Sequence, residues 1–421
     1  MFYVLYLQNF NQTIRTMIYF SKLLKTTKLK AISTLSLLLF FGICSVQAQM
    51  TINGQDYYGN EWIDYSKQYA TIDVDTDGYY RVTSAQLTNV GFPINGKAGS
   101  ELQLYRNGQP VPISVSTNGA FGASDFIEFY GERNDGWMDQ FLFESASQRL
   151  NPDYSMYTDN SRYFLTFGVA NPLRYETIIN SLTNLPAKEK YYMHTEEIIF
   201  SENHSGPFVD LNRELSFSHY QPAEGFGSQE RNAFDYNISA GAKYTGSDAP
   251  SPYLSVRQGI YFLQHQTEVI VNDVPRMLRN ANPKTVDEYT VPLQIGDIIN
   301  NVNIKLNGLG VTELHKKSIL AKLGITYPRL FQSEDSDAFS MELPSSSSDR
   351  YFEIENFNFT SNTVVLDVTN NRVLVPVANG SGIRFRLPSS ATASQIHIVN
   401  LRSQSANIDS KQYVDYKNLS G

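Results

Sequence analysis

The stretch ATIDVDTDGYYRVT, Ala70 to Thr83, decides how the chain is read. It contains D-x-D-x-D-G, so Asp73, Asp75, Asp77 and Gly78 stand where a calcium loop places its first ligands and its turn glycine. Such a loop also needs a bidentate Glu at its twelfth position, because Ca²⁺ takes six to eight oxygens. Counted from Asp73, that position is Ser84, which has no charged oxygen to give. No helical spacing precedes Asp73 or follows Ser84. The flanks alternate instead, Ile72 and Val74 against Asp73 and Asp75, then Tyr80 and Val82 against Arg81 and Thr83. A period of two marks strands. Asp77-Gly78 between two such runs predicts a β-hairpin closed by a type I′ turn, with no calcium bound.

The first 48 residues read as a leader rather than as fold. They hold Arg15, Lys22, Lys25, Lys28 and Lys30 and no acid, then the apolar run AISTLSLLLFFGIC and the small-residue ending SVQA. That is a secretory signal peptide with cleavage after Ala48, and Met17 offers a start 32 residues before the cut. The apolar run is too short for a comfortable membrane span. A lipid anchor on Cys44 is the rival, weakened by Ile43 where a small residue is expected.

Cys44 is the single cysteine, so the exported chain has neither disulfide nor thiol nucleophile, and packed core must supply its stability. Removing the five leader cations from 34 leaves 29 basic against 42 acidic residues, a net of −13. That balance argues against nucleic acid and anionic membrane as partners. Subtracting 48 from 421 leaves 373 residues, room for two or three domains.

Aromatics make up 13% of the chain, and short apolar runs are punctuated by Gly, Asn, Ser and Asp. Segments with helical spacing are nearly absent, so the expected class is all-β, with tandem β-sandwich or jelly-roll-like modules after the signal peptide (1–48). A first β domain is expected over 49–184, where Asn107-Gly108 and Asp135-Gly136 mark further turns. A jelly-roll-like sandwich follows over 185–331, with HQTEVIVNDV, EYTVPLQI and NVNIKLNG as its clearest strands. A small Ig-like sandwich follows over 332–421, opened by the polar run QSEDSDAFSMELPSSSSD.

Several stretches together carry a resemblance. They are TDGYYRVT (Thr76 to Thr83), LYRNGQPVPI (Leu104 to Ile113), DFIEFYG (Asp125 to Gly131), NPDYSMYTDNSRYFLTFG (Asn151 to Gly168), ITYPRLF (Ile325 to Phe331) and LDVTNN (Leu366 to Asn371). In their order and spacing the chain resembles the non-catalytic N-terminal region of gingipain-like cysteine peptidases of Bacteroidetes, including the sortase of the type IX secretion system. It departs from the pattern at Leu366, where the family often has Trp, and at Asn371, after which Pro often follows. The family's His-Cys chemistry lies further downstream, in a caspase-like α/β domain that would begin about where YVDYKNLSG stands. The resemblance therefore implies a prodomain-like or accessory region, with no catalytic residue to carry over. It implies a peptidase domain or type IX secretion components as partners, at the periplasm, the outer membrane or outside the cell.

The residues themselves name no catalytic, cofactor-binding or metal site. His194, His204 and His219 share a stretch with Glu196, Glu197, Glu202 and Asp210, but without the H-E-x-x-H spacing that puts two imidazoles on one helical face. His265 and Glu268 read as surface partners at a strand start, and His315 and His397 as isolated. No G-x-S-x-G elbow occurs, and GFGSQE and GLGVTE lack the third glycine of a phosphate-binding turn. Trp62 and Trp137 are the natural carbohydrate platforms, with core anchoring as the competing and preferred reading. The expected function is binding or scaffolding rather than catalysis; the rivals are a carbohydrate-binding protein and a hydrolase with a carboxylate pair in a cleft.

Overall fold

A computed structural model describes residues 50–52, 55–57, 61–206, 219–260, 264–400 and 407–411. Residues 1–48, read as a leader cut after Ala48, lie outside the described residues, as do Cys44 within them and Asp210. The chain divides into two compact units, Met1–Tyr58 and Gly59–Gly421. In the first, Met50–Ile52 pairs antiparallel with Gln55–Tyr57.

The second unit is all-β and holds three pairs of sheets, each pair closed over its own apolar core. In the first pair, a five-stranded sheet runs Asn407–Lys411, Tyr69–Val74, Ser161–Thr166, Gln103–Arg106, Gln109–Val111. It shares a core with the three-stranded sheet of Gly78–Thr83, Phe126–Gly131 and Ser114–Val115, through Ile72, Val82, Leu104, Phe129 and Leu165. Each such side chain contributes ~1.5–3 kcal/mol on leaving water, which is how a chain without disulfides holds together.

The second pair has two four-stranded antiparallel sheets. One runs Tyr192–Ile199, Ser318–Arg329, Tyr253–Ile260, Thr285–Pro292, and the other Ala233–Ser239, Asn301–Leu309, His265–Val271, Val274–Ala281. Numbered along the chain, these strands lie in the orders 1-8-3-6 and 2-7-4-5, the double Greek key of a jelly roll. Val256, Val271, Ile304 and Leu323 fill the space between them. The third pair, over Gln332–Ser336 to Ser394–Asn400, closes on Phe352, Ile354, Phe385 and Ile396. Strands also cross between these regions. Glu176–Thr177 pairs in parallel with Arg372–Leu374, and Asn407–Lys411 pairs with Tyr69–Val74.

The opening stretch is not a hairpin. Tyr69–Val74 pairs with Ser161–Thr166, placing Ile72 opposite Tyr163, whereas Gly78–Thr83 pairs with Phe126–Gly131, placing Tyr80 opposite Phe129. Asp75 to Asp77 is an arch from one sheet to the facing one. Neither Asp77 nor Gly78 has the positive φ of a type I′ turn, and Asp77 Oδ1 instead accepts the Arg133 N–H at 2.7 Å. The alternation itself is present, since Ile72, Val74, Tyr80 and Val82 all face the first core. A helix also follows, Ser84–Asn89, where none was expected. Its signal is T-x-x-Q: Thr83 Oγ1 accepts from Gln86 N–H at 3.2 Å, and Gln86 Oε1 accepts from Thr83 N–H at 2.9 Å, a capping box.

Two further turns close hairpins, the first of them read from the sequence, whereas Asp135-Gly136 leads into a 3₁₀ helix. Asn107-Gly108 has φ 49° and 76° and joins Gln103–Arg106 to Gln109–Val111. Asn272-Asp273 has φ 50° and 60° and joins His265–Val271 to Val274–Ala281.

Candidate functional site

Gly78–Thr83 is buried on both faces. Tyr80 and Val82 enter the first core; Tyr79, on the other side, packs with Tyr130, Tyr175, Leu366 and Val399 into a small cluster joining the first and third cores. Beside this junction lies an open cleft of about 450 Å³. One side comes from the Asn107-Gly108 hairpin and from Glu132, Asp135 and Trp137; the other comes from Val368, Thr369 and Gln395.

The cleft's Tyr130, Tyr163 and Tyr175 are buried, and their hydroxyls are occupied internally. Tyr163 Oη accepts the Glu132 N–H at 2.8 Å, and Tyr175 Oη accepts the Tyr130 N–H at 3.4 Å. Burial pushes all three phenols well above their usual range, so none is a ready proton donor near neutrality. Arg106 is fixed by three bonds, to Ser161 Oγ at 2.8 Å, to the Arg133 carbonyl at 2.8 Å and to Glu132 Oε2 at 2.5 Å. Burial raises the Glu132 carboxyl, and the Arg106 guanidinium pulls it partly back.

The rim is built on Gly136, whose φ of 77° only glycine adopts freely. It starts a 3₁₀ helix, Trp137–Leu142, in which Asp135 Oδ1 accepts the Trp137 N–H at 2.9 Å. Trp137 remains 42% exposed and meets Phe141 edge-on at 5.5 Å. Beneath it Asp139 is buried and accepts the Met156 N–H at 2.8 Å. Arg149, also buried, donates to the Pro152 carbonyl at 3.0 Å and to the Asp135 carbonyl at 3.4 Å.

His397, read as isolated, is instead part of the junction. Its ring stacks on Tyr130 at 4.2 Å, and its Nδ1 lies 3.1 Å from Tyr130 Oη and 2.8 Å from Ser340 Oγ. Its Nε2 is buried with no hydrogen-bond partner among the described residues, and burial drives the imidazole down to about 4. His265 is likewise a correction: it is buried rather than superficial, bonded to the His315 carbonyl at 2.8 Å and to Thr267 Oγ1 at 2.9 Å. His315 Nδ1 pairs with Thr312 Oγ1 at 2.6 Å, and Glu268 accepts from Asn307 at 3.2 Å.

The remaining candidates disperse. His194 meets Glu196 at 3.2 Å and Arg329 at 3.3 Å, His204 packs edge-on against Phe226, and His219 meets Glu144 at 3.2 Å. Glu197 pairs with Lys322 at 2.8 Å, and Glu202 is exposed. Asp73 is gripped by Arg162 at 2.7 and 3.0 Å, while Asp75 is exposed. Among the described residues no three of His, Cys, Asp and Glu converge as metal donors. Trp62 is half-buried against Tyr69, Tyr105 and Phe164, with centroids 4.9–5.6 Å away, so it anchors the outer face of the first sheet. Of the two tryptophans, Trp137 alone lines the cleft. Glu132 and Asp135 are the two carboxylates lining the cleft; Asp135 is exposed, and Glu132 is ion-paired with Arg106.

No protein-family model matches the chain, and no curated protein matches it in sequence. Among solved structures it is similar to dimeric latent PorU from Porphyromonas gingivalis, with TM-score 0.51 and 13% identity over 82% of this chain and 33% of that one. The chain thus spans about a third of that neighbour's length. A CBM51 from Clostridium perfringens GH95, in complex with methyl-galactose, gives TM-score 0.18 and 10% identity over 31% of this chain and 99% of that one. The cycloalternan-forming enzyme from Listeria monocytogenes, in complex with a pentasaccharide substrate, gives 0.19 and 11% over 63% and 20%. The PorU likeness is one of fold. No helix among the described residues is long and apolar enough to cross a membrane.

Proposed function

We propose that the chain is an exported, non-catalytic, β-rich accessory region of a gingipain-like peptidase or type IX secretion system, acting in binding or scaffolding at the cell envelope. The observation that carries this reading is the likeness to latent PorU across 82% of the chain. The ordered motifs from Thr76 to Asn371 support it from the sequence side. In this reading the partners are a gingipain-like peptidase domain or secretion components, and residues 1–48 are removed on export.

The test is an assay of residues 49–421 on Arg-, Lys- and general peptide substrates with a thiol-directed inhibitor, followed by titration with a purified gingipain-like peptidase domain. The expected result is no turnover, and a saturable complex with the added domain. Robust turnover that survives further purification would overturn the reading. If that turnover ignored the thiol inhibitor, carboxylate or serine chemistry would take its place. Intact mass of the exported chain tests the leader: a chain beginning at Gln49 is expected, and one beginning at a lipidated Cys44 contradicts it.

A further inference from the structure

The geometry points to the cleft as a binding site for a neutral oligosaccharide, with Trp137 as its stacking platform. An indole left 42% exposed is unusual for so large an apolar group, and Trp137 contributes to none of the apolar cores. Nor is it loose. Gly136 tucks its backbone against Ser155, Asp139 and Arg149, where a Cβ would come within 2.8–3.0 Å of each, and Asp135 fixes its N–H. An exposed aromatic face carried on a fixed backbone beside a cleft suits the C–H face of a pyranose, and little backbone ordering entropy is lost on binding.

The polar groups fit the rest of such a ligand. Asn107, Gln109 and Gln395 line the cleft and are exposed, and each offers an amide that both donates and accepts. Glu132, held by Arg106, adds an acceptor pair, so vicinal hydroxyls find complementary partners without strong net attraction for ions. The lining holds two carboxylates, Glu132 and Asp135, against the single guanidinium of Arg106, a balance that disfavours acidic ligands. The volume of about 450 Å³ lies within the ~300–1,000 Å³ usual for small-ligand sites.

An extended peptide is the competing occupant, because Gln109–Val111 is an edge strand at the cleft. Pro110 within that edge and Pro112 just beyond it each lack a backbone N–H. Strand addition lives on those donors, so the edge is poorly suited to it.

The experiment titrates the exported chain with cellohexaose, maltohexaose, xylohexaose and mannohexaose by calorimetry. The same titrations follow tryptophan emission in Trp62→Phe, where Trp137 is the sole reporter because the chain has two tryptophans. At least one hexasaccharide is expected to saturate with Kd below ~1 mM and to shift Trp137 emission. Trp137→Ala should weaken it about tenfold and Glu132→Gln several-fold. Trp137 is exposed, so its variant should keep the native circular dichroism, and calorimetry on it decides the matter even if Trp62→Phe folds poorly. The proposal is overturned if none of the four sugars binds, if Trp137→Ala binds as well as the native chain, or if a casein-derived peptide digest shifts Trp137 emission where the sugars do not.

Discussion

Gly136→Ala and Gly96→Ala form a matched pair that isolates what holds the cleft rim. Both glycines are left-handed, at φ 77° and 78°. Each alanine therefore incurs the same backbone penalty, ~1–2 kcal/mol, and each gains the same ~0.4–1 kcal/mol from a stiffer unfolded chain. They differ in surroundings. A Cβ at Gly96 meets nothing within 4 Å, whereas at Gly136 it would lie 2.8 Å from Ser155 Cα, 2.9 Å from Asp139 Oδ2 and 3.0 Å from Arg149 Nη2. The first of these is backbone, and Asp139 and Arg149 are buried and committed to their own bonds, so none yields cheaply. Forcing a methyl into such a space costs ~1–3 kcal/mol. Gly96→Ala should thus destabilise by ~0–1.6 kcal/mol, and Gly136→Ala by that amount plus ~1–3 kcal/mol. Urea unfolding followed by circular dichroism measures both. If the two variants differ by less than about 0.5 kcal/mol, well under the clash expected, the cradle under Trp137 is not what fixes the rim.

Other expectations follow from single side chains. His397 is held near 4 in the folded chain against an ordinary 6.5, so as pH falls through that window the unfolded chain takes a proton the folded one refuses. Stability should drop by roughly 3 kcal/mol between those values, and an equally steep drop in His397→Phe would contradict the assignment. Arg257→Leu strips the buried carbonyls of Leu150 and Arg149 of donors at 2.9 and 2.6 Å and frees the Glu288 carboxylate. Glu288 is largely exposed, so the cost lies in the two buried carbonyls, ~1–3 kcal/mol each; a loss of roughly 2–6 kcal/mol is expected in urea melts, and one below ~1 kcal/mol would mean that water replaces the guanidinium. Calcium titration should show no submicromolar site, because Arg162 already occupies Asp73; tight binding abolished by Asp73→Asn would reverse that reading.

The legible parts of the fold were those settled by neighbouring residues. Asn107-Gly108 and Asn272-Asp273 each supply two residues tolerant of positive φ, and the chain has little choice but to turn back on itself there. Asp77-Gly78 carries the same letters, yet the strands on either side find partners as distant as Phe126–Gly131 and Asn407–Lys411. Local preference cannot separate a hairpin from an arch when both leave the same face apolar. A clue stood in Tyr79, an aromatic on the supposedly polar face, which is now seen to meet Leu366 and Val399. The cleft was illegible for a related reason. Trp137 could be named as a candidate, but its neighbours come from Asn107, Tyr163 and Gln395, and only the folded topology brings them together. His397 could not be matched to Tyr130 before the sheets were known.

The pairing of Asn407–Lys411 with Tyr69–Val74 bears on the order of assembly. The strand that covers one edge of the first sheet is made after nearly all the other strands. Until it arrives, Tyr69–Val74 presents a bare row of backbone donors and acceptors, the surface on which chains misassociate. Such closure between segments so far apart along the chain is also slow, since the intervening loop entropy is lost before the contact repays it. A chain threaded across a membrane from its N-terminus would therefore pass through a stage in which its first sheet is formed but open-edged. A partner that shielded that edge before Asn407–Lys411 arrived would act on the folding of this protein rather than on its finished state.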